Sequence, residues 1–366
     1  MDDETQGQGA RPSWLTPGAA RKGDPQEGAS VRAYLRRLMR GENLRREEAE
    51  SFLGALLDGG ATDSQIGAAL VALAVKGETV EELAGLASAM RARARRVSAR
   101  HERFIDTAGT GSSAAKTFNV STAAAFVIAG AELPVAKHGS RAATSLSGSA
   151  DVLTALGVNV TAPPEVSERC LNEIGVCFMF APLYHGATAR VAGVRRELGV
   201  HTTFNLLGPL TNPAGAPRQL IGVWHEALVE PIARTLAALG SERAWVVHGL
   251  DGLDEVTLNG PTKVAEVCEG GVRAFEVTPE EFGLRRSALD SLRGGDAEAN
   301  ARVIREVLSG ARRDAARDLV IVNAASALFV GGEAGDLREA AALAGRSIDE
   351  GAALSKLELL AEETNR

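Results

Sequence analysis

The sequence predicts an α/β protein: a small all-helical N-terminal domain, then a larger α/β domain with a mostly parallel sheet flanked by helices. Residues 31–98 repeat apolar side chains at helical spacing throughout. Beyond residue 104, short apolar segments of strand type alternate with helical segments, which is typical of a parallel sheet covered by helices. The chain has 366 residues and is 45% hydrophobic, which is enough for a large core.

Composition and charge narrow the class of protein. Residues 1–29 are rich in Gly, Pro, Gln and charge and hold no apolar core of a signal peptide, so we expect a disordered tail. Three cysteines without metal-ligand spacing fit the reducing cytoplasm. No stretch is apolar enough to suggest a membrane partner, and the net charge of −7 argues weakly against a nucleic-acid partner.

The helical part begins with Val31, Tyr34 and Leu38 on one face of a helix. Thr79 and Glu82 form the pattern of a capping box at the start of a later helix. Arginines recur through residues 91–103 and give this part a basic end. We interpret them as a solvated helix face, with a nucleic-acid surface as the alternative.

The α/β part follows the alternating pattern to the end of the chain. We predict strands at residues 104–107, 133–136, 158–160, 219–224, 243–248, 262–267 and 272–277. We predict helices at residues 120–130, 147–156, 226–239, 296–308, 315–330 and 336–363, with another helix start at 278–281. Ligands in such sheets bind beyond the carboxyl ends of the strands, so the polar segments at those ends are candidate sites.

The richest such stretch is 105–149. Gly109 and Gly111 permit a tight bend before a helix whose polar start can present free N–H groups to phosphate. Lys137, His138 and Arg141 follow the next strand, at the same edge of the sheet. The combination indicates a site for a polyphosphorylated ligand, although a GxG turn alone can be a simple βα connection. Neither the Walker nor the dinucleotide fingerprint fits, because alanines replace the required glycines.

Two further constellations lie in the middle of the chain. Arg195 follows His185 by ten residues on a predicted helix, and its guanidinium could hold a carboxylate; the alternative is a surface arginine paired with a glutamate. Asp254 and Glu255 lie in a glycine-containing turn after an apolar strand, where two carboxylates suit Mg²⁺; the alternative is an ordinary acidic surface pair.

The motifs together resemble the anthranilate phosphoribosyltransferase family. They are GTG, KTFNVST, KHGSR, APLYHGATARVAGVRRELG, FNLLGPLTNP and GLDEVTLNGPT, and the resemblance runs in order from about residue 31 to 363. It implies a fold like that of pyrimidine nucleoside phosphorylases: after the tail at 1–29 come a helical domain at 30–100, on which helices near 165–200 pack, and an α/β domain at 101–366. It also implies a homodimer formed through the helical domain.

The implied activity is transfer of phosphoribose from phosphoribosyl pyrophosphate (PRPP) to the amine of anthranilate, with release of pyrophosphate, in tryptophan biosynthesis. The motifs place PRPP at Gly109, Ser112, Ser113, Thr117, Asn119, Val120, Ser121, Thr122, Lys137, His138, Gly139, Ser140, Arg141, Ala142, Ala143, Thr144, Ser145 and Ser149. They place anthranilate at Gly109, Ser140, His185 and Arg195. They place Mg²⁺, the implied cofactor, at Ser121, Asp254 and Glu255. No catalytic base is assigned; His138 and His185 are candidates.

The chain departs from the family's usual pattern at two places in the site. Ser112, Ser113 and Ala114 stand where the family usually has Gly-Asp-Gly, and Ser140 replaces an asparagine expected to contact anthranilate. A hydroxyl cannot reproduce the paired donor and acceptor of an amide. Two alternative hypotheses therefore stay open: a related transferase or phosphorylase with another acceptor, and a non-catalytic relative that binds nucleic acid through residues 91–103.

Overall fold

The computed structural model describes residues 30–111, 117–141, 147–288 and 292–366. The tail expected at residues 1–29 lies outside the described residues. Helices dominate the first described segment: α1 (Val31–Met39), α2 (Arg46–Leu57), α3 (Asp63–Lys76) and α4 (Val80–Arg93). The predicted capping box at the start of α4 is present, since the Thr79 hydroxyl accepts from the Glu82 N–H and the Glu82 carboxylate accepts from the Thr79 N–H.

A seven-stranded sheet forms the centre of the described α/β part. Its strands are β1 (Ile105–Asp106), β2 (Val135–Gly139), β3 (Val176–Phe180), β4 (Arg218–Gly222), β5 (Arg243–Gly249), β6 (Thr262–Cys268) and β7 (Gly271–Val277). Their spatial order is β3-β2-β1-β4-β5-β6-β7. The first five in that order pair in parallel, and β6 and β7 continue the sheet in antiparallel pairing. The mostly parallel sheet predicted from the sequence is therefore confirmed.

Helices cover both faces of this sheet. They are α5 (Val120–Gly130), α6 (Ser149–Ala155), α7 (Pro164–Ile174), α8 (Ala181–Tyr184), α9 (Ala189–Leu198), α10 (Thr203–Leu210), α11 (Val229–Ala238), α12 (Ala297–Leu308), α13 (Ala315–Gly331), α14 (Leu337–Asp349) and α15 (Ala352–Thr364). The segment predicted to be helical at 336–363 is two helices, because Gly351 takes the left-handed conformation between them. The start predicted at 278–281 gives only a single 3-10 turn at 279–282.

One predicted strand is wrong, and one strand was not predicted. Residues 158–160 are not a strand; they form the turn between α6 and α7, where Val158 and Val160 are buried in the core. The strand neighbouring β2 is instead β3, an apolar run of five residues that begins directly after the left-handed Gly175. Of the helices expected near residues 165–200 on the helical domain, α9 packs against α2 and α3, whereas α7 packs against β3 and α15.

The two faces of the sheet enter two hydrophobic cores. Trp245 and Val247 point into one core with α5 and α12–α15, while Ala244 and Val246, alternating with them on β5, point into the other core with α1–α4 and α11. The helical bundle is thus packed onto one face of the sheet. No helix among the described residues has the length and apolar character needed to cross a bilayer.

The arginines of residues 91–103 are largely used in contacts within the protein. The Arg91 guanidinium donates to the Leu210 carbonyl at 2.8 Å, and Arg93 forms an ion pair with Asp58 at 2.6 Å. Arg95 pairs with Glu165, and Arg103 pairs with Glu333 at 3.6 Å. Several of these side chains therefore connect α4 and the following segment to other parts of the fold.

Candidate active site

A cavity of about 410 Å³ opens beyond the carboxyl ends of β1, β2 and β4, and α9 and α10 form part of its wall. Every described residue that the resemblance assigned to a ligand lines it: Gly109, Thr117, Asn119, Val120, Ser121, Thr122, Lys137, His138, Gly139, Ser140, Arg141, Ser149, His185, Arg195, Asp254 and Glu255. The assigned residues Ser112, Ser113, Ala142, Ala143, Thr144 and Ser145 lie outside the described residues. The structure thus brings together segments that are up to 146 residues apart, from Gly109 to Glu255.

The glycine bend after β1 is fastened to the end of β4. The Thr110 N–H and hydroxyl both donate to the Gly222 carbonyl, at 2.9 and 3.2 Å, and the Thr110 hydroxyl accepts from the Trp224 N–H at 3.1 Å. Gly111 has a φ of +64°, which favours glycine. These hydrogen bonds therefore fix the position of the bend relative to the carboxyl end of β4.

The start of α5 differs in detail from the expected capping. Asn119 occupies the N-cap position, but its side chain makes no capping hydrogen bond. It donates instead to the Ser147 carbonyl at 3.3 Å and accepts from the Asn300 side chain at 3.0 Å. The N–H of Ser121, in the first turn, donates to the Glu255 carboxylate at 3.2 Å. The first turn of α5 therefore faces the acidic pair.

Lys137 is buried near the end of β2, with its amine close to both β1 and α5. The Nζ atom donates to the Thr107 carbonyl at 2.8 Å and lies within 3.4 Å of the Ser121 hydroxyl. Burial lowers the pKa of Lys137, and the carboxylates of Asp106 and Glu255 oppose that shift. The amine therefore lies at the floor of the cavity, where it can donate to an anionic ligand.

The acidic pair lies in the loop after β5. Asn323 on α13 fixes this loop, because its side chain accepts from the Val256 N–H and donates to the Val256 carbonyl, both at 2.9 Å. Burial and the neighbouring Asp254 raise the pKa of Glu255 to about 8, whereas Lys137 opposes the shift. The surface-pair alternative does not hold, since both residues line the cavity and are only partly exposed.

The donor set at this place fits Mg²⁺. A divalent cation would reduce the repulsion between the two carboxyl groups. It would also offset the free-energy cost of burying the charge of Glu255. No group of three or more His, Cys, Asp or Glu residues suited to a metal occurs within the part of the chain that the structure describes. Mg²⁺ commonly takes only one or two protein carboxylates and completes its shell with water and substrate phosphate.

The other end of the cavity carries two histidines. The rings of His138 and His185 lie 5.1 Å apart between centroids. His138 Nδ1 is 3.1 Å from the Gly208 carbonyl; since a carbonyl only accepts, Nδ1 carries the proton. The Nε2 atoms of both rings are buried without a partner among the described residues. Burial lowers the pKa of His138 to about 3 and that of His185 to about 4, so both rings are neutral near pH 7.

Arg195 completes this end of the cavity. Its guanidinium lies over the Phe204 ring, with 5.2 Å from the central carbon to the ring centroid. Burial lowers the pKa of Arg195, and no carboxylate among the described residues forms an ion pair with it. The alternative of a surface arginine paired with a glutamate is therefore wrong. A partly buried cation without an anionic partner suits a carboxylate ligand.

Sequence reasoning missed several residues that support this site. Asp106 and Asn212 are buried and bond to the backbone on either side of Lys137. Asn323 fixes the acidic loop. Met90 from the helical bundle joins Phe204 in the cavity wall. Asn212 falls inside the FNLLGPLTNP motif, which was the only available signal for it. Asp106 precedes the glycine bend and gave no separate signal.

The chain matches known families over most of its length. The model of the glycosyl transferase family, a/b domain, matches residues 101–354, and that of the glycosyl transferase family, helical bundle domain, matches residues 32–94. The anthranilate phosphoribosyltransferase of Rubrobacter xylanophilus is 52% identical over 336 residues, which cover 92% of this chain and 98% of the relative.

Solved structures agree with these matches. The anthranilate phosphoribosyltransferase of Thermus thermophilus superposes with a TM-score of 0.86 at 41% identity, covering 91% of this chain and 99% of that one. That of Saccharomyces cerevisiae, in complex with PRPP and Mg, gives a TM-score of 0.84 at 28% identity, covering 92% and 98%. The chain belongs to the anthranilate phosphoribosyltransferase family of glycosyl transferases.

Proposed function

We propose that this protein transfers the 5-phosphoribosyl group of PRPP to the amine of anthranilate and releases pyrophosphate, a step of tryptophan biosynthesis. The observation that carries the proposal is one cavity with two chemically different ends. An acidic pair and a buried lysine lie at one end, and an arginine beside two neutral histidines lies at the other. The relatives that share this fold bear the same activity in their names.

The pyrophosphate of PRPP is assigned to the end formed by the glycine bend, the first turn of α5 and β2. Backbone N–H groups at a helix start and the Lys137 ammonium stabilise phosphate oxygens. Ser121, Asp254 and Glu255 would hold Mg²⁺, which the yeast relative contains together with PRPP. When bound, the ion supplies positive charge to the leaving pyrophosphate.

Anthranilate is assigned to the other end. Its carboxylate would pair with the Arg195 guanidinium, and its ring would pack beside Met90 and Phe204. The Nε2 atom of His138 can accept a hydrogen of the amine, because this neutral ring carries its proton on Nδ1. His185, also neutral, lies beside it. The nitrogen lone pair is then directed away from the His138 acceptor and toward the sugar.

The chemistry needs positioning and charge more than a strong base. The bond between C1 of the ribose and the pyrophosphate oxygen breaks, and its electron pair leaves with the pyrophosphate. The uncharged amine donates its lone pair to C1, forms the new C–N bond and then loses one proton to water. Lys137 stabilises charge on the leaving group, while Arg195 holds the acceptor in line, so catalysis rests on orientation and electrostatics.

The first test is an assay with PRPP, Mg²⁺ and anthranilate that follows the loss of anthranilate fluorescence. We expect turnover by the wild-type protein and its loss in the double variant Asp254→Asn with Glu255→Gln, because neutral amides bind Mg²⁺ weakly. Glu276→Gln, on the exposed face of β7, is the matched control and should keep full activity. Full activity in the double variant would disprove the metal assignment, and consumption of PRPP only with other amines would favour another acceptor.

We also propose a homodimer formed through the helical bundle. Val71 and Val75 lie one turn apart on α3 and are 42% and 83% exposed, and Met39 at the end of α1, which packs on α3, is 61% exposed. Exposed apolar side chains grouped in this way are typical of an interface. Light scattering should give twice the chain mass, and Val71→Glu with Val75→Glu should give the chain mass. Leu359→Glu, an exposed leucine on α15, is the control.

The proposed compartment is the cytoplasm. Cys268 is exposed as a free thiol at the end of β6, and Cys170 and Cys177 are free in the core. Exposed free thiols fit a reducing compartment. Cell fractionation with an antibody would test this, and recovery from an oxidising compartment would contradict it.

A further inference from the structure

The strand that carries Lys137 is paired unequally on its two sides. All five residues of β2 are in register with β3, from Val135 opposite Val176 to Gly139 opposite Phe180. On the other side β1 has only two residues, and its register with β2 consists of Ile105 opposite Val135. Beyond that point the backbone groups of β2 on the β1 side have no strand to pair with, although they are buried.

Two side chains take the place of the missing strand. The Asp106 carboxylate accepts from the His138 N–H at 3.2 Å. The Asn212 amide donates to the Ala136 carbonyl at 2.8 Å and to the other oxygen of Asp106 at 2.7 Å. These bonds hold the peptide group before Lys137 and the peptide group after it.

Asp106 and Asn212 each lie in a segment that a further hydrogen bond holds in place. Asp106 ends β1 and is immediately followed by Thr107, whose carbonyl accepts from Lys137 Nζ at 2.8 Å. The Asn212 side-chain oxygen accepts from the Ala214 N–H at 2.9 Å, which fixes the segment after α10. Asp106 and Asn212 are 0% and 5% exposed, so water does not compete for these bonds.

We propose that Asp106 and Asn212 form a positioning pair that sets Lys137 and His138 at their places in the cavity. The inference rests on the proposed function, because it assigns these residues a part in the same phosphoribosyl transfer. Neither residue lines the cavity; both act through β2. Since a displacement of about 1 Å can cost about 10²-fold in rate, holding the two peptide groups on either side of the lysine is sufficient to affect catalysis.

The charge of Asp106 is part of the arrangement. Its two oxygens face two donors, and only the ionised carboxylate accepts from both without leaving an O–H proton that lacks an acceptor. Burial raises the pKa of Asp106 to about 6, while the charge of Lys137 and the bonds from Asn212 and His138 oppose the shift. An asparagine at position 106 would have the same shape. Its NH2 group, however, would face either the His138 N–H or the Asn212 amide, so that a donor would oppose a donor.

The test compares Asp106→Asn and Asn212→Ala with Thr235→Val, a control that removes the buried hydrogen bond from Thr235 to the Pro231 carbonyl on α11, away from the cavity. Circular dichroism establishes the folded fraction at the assay temperature. We expect kcat/KM for PRPP to fall about 10²-fold in both site variants, with KM for PRPP rising about tenfold. A smaller folded fraction alone would lower the maximal rate and leave KM unchanged.

Amide hydrogen exchange provides a second readout. In the wild-type protein the His138 N–H should be protected, and in both site variants its exchange should accelerate at least about tenfold, while amides paired with β3 stay protected. Fast exchange at His138 in the wild type would overturn the proposal without any variant, even if a variant fails to fold. Wild-type kinetics in a folded Asp106→Asn protein would also overturn it. Lack of transferase activity in the wild type would instead refute the proposed function, and the exchange result would still decide the pairing.

Discussion

Arg195 lies at the end of the cavity that we propose for anthranilate, with its guanidinium over Phe204 and without an ionic partner among the described residues. We expect Arg195→Ala to raise KM for anthranilate about 10- to 100-fold, because a charge-assisted hydrogen bond contributes about 1.5–3 kcal/mol. KM for PRPP should change much less. Steady-state kinetics with each substrate varied in turn measures both values.

The neighbouring Arg196 offers a matched control. It is exposed on the same helix and does not line the cavity, so Arg196→Ala should leave both KM values unchanged. Equal increases for the two substrates in Arg195→Ala would show that this residue has no selective contact with the acceptor.

At the level of single residues, the sequence predicts the residues that line the cavity better than the buried residues that position them. The glycine bend, Lys137, Arg195 and the acidic pair carry local motifs, and all line the cavity. Asp106 and Asn212 are separated by 106 positions, and their contact arises only because β1 ends early beside β2. No periodicity or spacing encodes such a contact, so it could not be predicted.

At the level of elements, the wrong strand at residues 158–160 and the unpredicted strand β3 have a similar origin. Residues 158–160 and β3 are both short and apolar, and a short apolar run does not reveal whether it forms a strand or fills a turn. Position in the fold decides between them: β3 follows α7 and lies beside β2, with which it pairs in parallel over five residues. The longer helices, such as α5 and α13, were predicted within a residue or two because their apolar runs are long.

The acidic loop closely approaches β4 at Gly222, and this contact leads to a further prediction. A Cβ atom added at Gly222 would overlap the carbonyl group of Asp254, so the loop can approach β4 only if this position is glycine. We expect Gly222→Ala to displace the acidic pair and lower kcat/KM at least about 10²-fold. The concentration of Mg²⁺ needed for half-maximal activity should rise as well, which a titration would measure.

Gly260→Ala is the control for this substitution, because a Cβ atom there meets open space in a nearby loop. It should keep the activity and Mg²⁺ requirement of the wild type. An unchanged Mg²⁺ requirement in a folded Gly222→Ala protein would show that the loop tolerates the shift and that the close approach is not needed for the site.

At the level of the whole molecule, the cavity draws on both hydrophobic cores. Phe204 and Met90 belong to the core of the helical bundle, whereas Phe118 and Val120 belong to the core on the other face of the sheet. The end that we propose for the acceptor is therefore built on one side of the sheet, and the end that we propose for the pyrophosphate lies mainly on the other. Since the site exists only when both cores are formed, changes in the site's buried groups should also affect global stability.

His185 shows this link between the site and folding. Burial lowers its pKa to about 4 from the ordinary value of 6.5, so between these values the unfolded chain binds a proton that the folded protein does not. The stability that the neutral ring preserves is fully present above about pH 6.5 and is lost as the pH falls toward 4. We expect the difference in unfolding free energy between the wild type and His185→Gln to shift by about 2 kcal/mol, against the wild type, from about pH 7 to about pH 4.5. Urea denaturation at both pH values measures this difference; because glutamine does not titrate, a constant difference would show that His185 is readily protonated in the folded protein.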